Sequence, residues 1–228
     1  MNTLTASGLG LAGALAGIPL SAIAYSAPAH GRLHLPEGWW HGAPARPPTV
    51  AAVSLLTGAT TAVIGGLLPM SAALPAYWLF AVVGVGLAII DIRRRRLPHV
   101  LTGTLMAACL ISFIMATAVS GNPAPLLRAI IAGATTTTTL VIIALSLPGQ
   151  LGLGDVTLAG VITLNLGWLS WHTVAHGLII GLVLQCVLGF AARVRPRGQV
   201  ALPMGPALLT GWLSAISAYW WLHPGHLT

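Results

Sequence analysis

Only three acidic side chains occur in the 228 residues, and two of them, Asp91 and Asp155, stand at the edges of long apolar runs. Asp91 closes the run 81–90, and Asp155 sits in Gly152-Leu-Gly-Asp155 at the mouth of another. A carboxylate within a spanning helix costs up to about 2.5–3.5 kcal/mol on insertion scales, so such a group marks a functional candidate. Two of them in a chain almost empty of others suggest a working pair. The chemistry that needs such a pair in a membrane is aspartyl proteolysis, in which one carboxylate activates water and the other polarises the scissile carbonyl.

The elements that must position these acids are membrane helices. Hydrophobic residues make up 56% of the chain and charged residues 6%, against about 25% charged in soluble domains. The fold expected is all-α and polytopic, with about eight transmembrane helices, near 4–27, 50–68, 74–91, 99–119, 128–147, 156–170, 173–192 and 205–222. It reads as a single membrane-embedded domain over 1–228, with a first span and short loop to residue 48 and a core over 50–222. The first run has no Lys or Arg ahead of it, which favours an uncleaved span over a signal peptide. All ten basic residues are arginines in loops and at helix ends, so the net charge of +7 reports orientation and not nucleic-acid binding. With eight spans, nine of the ten fall on one side, which becomes cytoplasmic, and only Arg128 falls on the other. Both acids then lie at the cytoplasmic depth. Tyr77, Trp78, Trp168, Trp171, Tyr219, Trp220 and Trp221 gather near the outer ends as an interfacial belt.

Around the acids, Asp91 precedes Arg93–Arg96 and the triplet Leu97-Pro98-His99, and Asp155 follows the two glycines Gly152 and Gly154 and precedes Val156-Thr157-Leu158. Glycines at that turn permit close backbone approach. A third segment, Leu202-Pro-Met-Gly205-Pro206, opens the last apolar run. With these three motifs in order, the chain resembles the prepilin peptidase (type IV leader peptidase) family, over about residues 50–222. The resemblance implies a GxGD aspartyl protease core in a bacterial inner membrane, with the active site facing the cytoplasm. It makes Asp91 and Asp155 the catalytic dyad, with one proton shared between them. The substrate implied is a prepilin or pseudopilin, cut between its short basic leader and its apolar helix, without a cofactor or metal. Gly152, Gly154, Pro98, Gly205 and Pro206 become supporting residues. His99 and Thr157 stand where the family carries Asn and Lys and become possible substrate contacts. The loop 30–48 holds no cysteine, so the zinc-binding insert of the long family members is missing, which argues against methyltransferase activity.

Other readings attach to the same residues. Asp91 could be a helix-end acid paired with Arg93 or Arg94, and Asp155 a first-turn acid favoured by the helix dipole. Intramembrane acids also serve as relays in proton-coupled transporters and channels, although no internal repeat is evident. An inactive relative acting as a scaffold is a further alternative. Cys109 and Cys186 read as buried free thiols, the tract Thr135–Thr139 as helix packing, and the His172/His176 pair as incidental.

Overall fold

A computed structural model describes residues 3–26, 37–94, 97, 99–146, 152–194 and 203–222. Among these residues the chain is all-α. Its helices are α1 (Thr3–Ser26), α2 (Pro47–Leu67), α3 (Leu74–Arg94), α4 (His99–Ser120), α5 (Ala124–Ser146), α6 (Leu153–Leu169), α7 (Trp171–Val194) and α8 (Gly205–Leu222). A short 3-10 turn, Trp39–His41, precedes α2. Each expected apolar segment is helical. Six helices, α1 to α5 and α7, are long and apolar enough to cross a membrane. The 17-residue α6 is shorter, and α8 is not among the six.

Neighbouring helices pair as hairpins, α1 with α2, α5 with α6 and α7 with α8. Small residues allow the closest of these contacts. Gly13 lies against the Thr61 side chain, and a Cβ at Gly17 would stand 2.6 Å from the Ser54 backbone. Backbones brought this near gain dispersion contacts that lipid cannot supply. On the other side of the molecule α6 touches α4, α5, α7 and α8. Twelve of its seventeen residues are buried, so this helix is apolar on every side and wrapped by protein. The core it anchors includes Phe80 against Trp212, with ring centroids 4.6 Å apart, and Phe113 stacked on Trp168.

The last carbonyls of a helix have no partner within it and need donors from elsewhere. The last four carbonyls of α6 all find donors. Thr173 Oγ1 donates to the Leu166 carbonyl at 2.7 Å, and Arg128 Nε to that of Gly167 at 2.6 Å. The Arg128 Nη2 group donates to the carbonyls of Trp168, at 2.6 Å, and Leu169, at 2.9 Å. The arginine set apart by the sequence thus closes a short central helix, as a cation at a helix C-terminus should.

Two expectations about single residues change. Tyr77 is 2% exposed and donates its hydroxyl to the Asn165 carbonyl at 2.8 Å, so its ring belongs to the core. It still gathers with Trp168, Tyr219 and Trp220 around a cavity of about 180 Å³ at that end of the bundle. Cys186 is exposed on α7, whereas Cys109 is buried as expected, because α7 turns most of its surface outward.

Replacing Arg128 with Gln should strip three carbonyls of their donors and lower stability by about 2–3 kcal/mol. Arg128→Lys should recover only part of that loss, since one ammonium cannot span the three carbonyls. Thermal unfolding in detergent would measure both changes.

Candidate active site

Asp91 lies in the last turn of α3 and is buried at 3% exposure. An uncompensated buried carboxylate is costly, so its partner matters. The Gly205 backbone N–H, at the first residue of α8, donates to Asp91 Oδ2 at 2.7 Å. Donors at a helix N-terminus have no partner within the helix, and the macrodipole there favours negative charge. Pro206 follows in the first turn, where a missing N–H costs nothing. A Cβ at position 205 would stand 3.0 Å from Asp91 Oδ2 and 3.4 Å from Asp91 Cβ, so glycine lets α8 come down onto the acid.

The arginines after Asp91 do not pair with it among the described residues. Arg93 instead donates from Nη1 to the Ala24 carbonyl at 3.2 Å and places its guanidinium 3.6 Å from the centre of the Tyr25 ring. It therefore fastens the end of α1 to the end of α3. Arg95, Arg96 and Pro98 lie outside the described residues, and His99 opens α4 with its side chain likewise outside.

Asp155 is half-buried in the first turn of α6, whose N-cap is Gly152. Its own N–H donates to the Gly152 carbonyl at 3.0 Å, and its carboxylate turns back toward the cap, where a Cβ on Gly152 would stand 3.1 Å from Asp155 Oδ2. Gly154 meets Leu97, two positions before α4. A Cβ there would stand 2.6 Å from Leu97 Cβ and 2.8 Å from the Leu97 carbonyl oxygen. The Thr157 hydroxyl donates to the Gly154 carbonyl of its own helix at 2.9 Å and hydrogen-bonds the Thr102 hydroxyl on α4 at 2.8 Å, from which it accepts. Its hydroxyl joins α6 to α4.

The three sequence motifs therefore meet at one end of the bundle. Leu97 of the first rests on Gly154 of the second, and Asp91 of the first takes its hydrogen bond from Gly205 of the third. The Asp91 carboxylate is near enough to act electrostatically on Asp155. A groove of about 390 Å³ opens onto Asp155 between α5, α6, α7 and α8, with Met204 and Leu208 in its wall. The α5 side of that groove carries Thr135, Thr136 and Thr139, which the sequence suggested were packing residues. Periodicity alone gave no sign of this, because five consecutive threonines cover every face of a helix.

The family model that matches this chain is that of the type IV leader peptidase family, over residues 78–193. The chain belongs to the type IV leader peptidase family. The matched part runs from α3 to α7 and includes both aspartates, while Gly205 lies beyond it. No curated protein and no solved structure matches the chain significantly. Membership in a leader peptidase family, with an all-α fold of six membrane-length helices, makes this a multi-pass membrane protein with protease-type chemistry.

Gly154→Ala should push Leu97 off α6 and destabilise the protein by roughly 1–3 kcal/mol, the usual cost of overpacking. Gly152→Ala, whose Cβ would meet only Asp155, should leave the melting temperature nearly unchanged. Equal melting temperatures for the two variants would show that the Leu97–Gly154 contact is not needed.

Proposed function

We propose that this protein is a membrane-embedded aspartic endopeptidase that removes the basic leader from prepilin-like or pseudopilin proteins at the cytoplasmic face. The observation that carries the reading is the convergence of Asp91 and Asp155 at one end of the bundle, with Asp91 bonded by the backbone N–H that starts α8 and Asp155 in the first turn of α6. Such donors bond a carboxylate without neutralising it by an ion pair, which leaves it able to take up and release a proton. The ionised member of the pair takes a proton from water as the oxygen attacks the scissile carbonyl. The protonated member donates to the carbonyl oxygen, giving a tetrahedral gem-diol. Collapse of that intermediate breaks the C–N bond as the leaving amine receives a proton. Two carboxylates acting in turn as acid and base complete the cycle.

In this reading α6 and α8 also traverse the membrane, sheltered by their neighbours, so that 1–228 forms one unit with its peptidase core over 50–222. The arginines beside Asp91 set its end of the bundle on the cytoplasmic side. A prepilin presents its leader–helix junction at that depth. Gly152, Gly154, Pro98, Gly205 and Pro206 support the dyad. Thr157 acts by joining α6 to α4, and His99, at the start of α4, is a candidate substrate contact.

Asp91→Asn and Asp155→Asn should each abolish processing of a co-expressed prepilin while the protein still inserts in the membrane. Gel shift and mass spectrometry of the substrate would read the outcome, and normal cleavage by either variant would remove it from the dyad. Gly205→Ala should slow processing about tenfold by displacing the Asp91 carboxylate, a misplacement effect that can reach ~10²-fold.

A further inference from the structure

Most helical threonines in this protein return their hydroxyl to a carbonyl one turn back. Thr57, Thr61, Thr117, Thr135 and Thr163 all do so, at 2.7–3.0 Å. In the tract 135–139 only Thr135 makes such a bond, and of the remaining four Thr136 and Thr139 line the groove that opens onto Asp155. Leu178 and Leu182 of α7 and Met204 give the same groove apolar walls. Both hydroxyls are thereby left able to pair with something that enters the groove.

The helix register shows how these groups lie relative to the acid. Gly167 packs on Ala129, Gly133 on Leu164, and Gly160 on Thr137, so α5 and α6 run antiparallel. Continuing that register brings Asp155 level with the stretch of α5 near Ile143, which lines the groove too. The threonines therefore stand one to two turns deeper in the bundle than the acid. From Thr135 to Ile143 the lined face of α5 is about 12 Å long, room for three or four residues of extended chain.

We propose that Thr136 and Thr139 are substrate-positioning residues that hydrogen-bond the backbone of the first residues after the scissile bond. The inference rests on the peptidase reading above. A peptide bond can be attacked only where the substrate's apolar helix has unwound, and unwound backbone at membrane depth needs partners for its N–H and C=O groups. A threonine hydroxyl can both donate and accept, so two of them on one helix face can serve successive backbone groups whatever the side chains. The leucines and Met204 take those side chains.

Two measurements on the full-length protein test this. With a co-expressed prepilin as substrate, the Thr136→Val/Thr139→Val double variant should process about tenfold more slowly, as the loss of substrate hydrogen bonds predicts. Thr136→Ser/Thr139→Ser should stay near the wild-type rate, and so should Thr138→Val, a change in the same tract outside the groove. For the second measurement, Asp91→Asn/Cys186→Ser serves as the uncleaving background. There Thr139→Cys should crosslink to a substrate cysteine placed two residues after the cleavage site, and Thr138→Cys should not. Wild-type cleavage together with full-rate valine variants and no Thr139→Cys crosslink would overturn the inference and leave the peptidase reading standing. Absence of cleavage by the wild-type protein would overturn the peptidase reading and this inference with it.

Discussion

A carboxylate inside an apolar bundle has to be held by donors that the bundle itself supplies, and the architecture around Asp91 follows from that need. A nearby guanidinium would have been the simple partner, since Arg93 is two residues away. It is instead turned toward Ala24 and Tyr25. The donor is a backbone N–H at the start of α8, while Asp155 sits in the first turn of α6. Helix N-termini carry about half a positive charge, enough to stabilise an anion without fixing a full counter-charge beside it. Both acids are in this way supported but not locked.

That arrangement sets demands elsewhere. The α6 N-terminus can hold Asp155 in place only if α6 itself is fixed, and a 17-residue helix has few turns with which to fix itself. Its far end is closed by Arg128 and Thr173, and its flank is joined to α4 through Thr157 and Thr102. The Tyr77 hydroxyl ties α3 to the same helix at Asn165. The interactions that order α6 also hold α3 and α4 beside it, so the two acids are carried on mutually braced elements.

Much of this could be read in the sequence, for identifiable reasons. Apolar length located every helix, and scarcity singled out Asp91 and Asp155. Glycine spacing marked the close approach at Gly154, although Gly152 is an extended N-cap and Gly154 lies within α6 where the sequence suggested a flexible turn. The partners of those residues were less accessible. No periodic signal links Gly205 to an acid 114 positions earlier, and the arginines next to Asp91 suggested a nearer partner. Burial of Tyr77 and exposure of Cys186 depend on which way α3 and α7 face, which uniformly apolar helices do not encode. The same degeneracy hid the groove-facing members of the threonine tract.

The long sequence separation between Asp91 and its donor has a bearing on biosynthesis. A chain emerging from the ribosome inserts α3 well before α8 exists, and until then Asp91 lacks the N–H that holds it. At roughly 5–20 residues per second, the 114 intervening residues take on the order of ten seconds to synthesise. Once residue 155 has been made, and until residue 205 follows, the half-made bundle carries both acids but not the clasp that seats one of them. A polypeptide cut short before α8 would keep both aspartates and still lack the N–H that holds Asp91, so the last helix made is the one that seats the first acid.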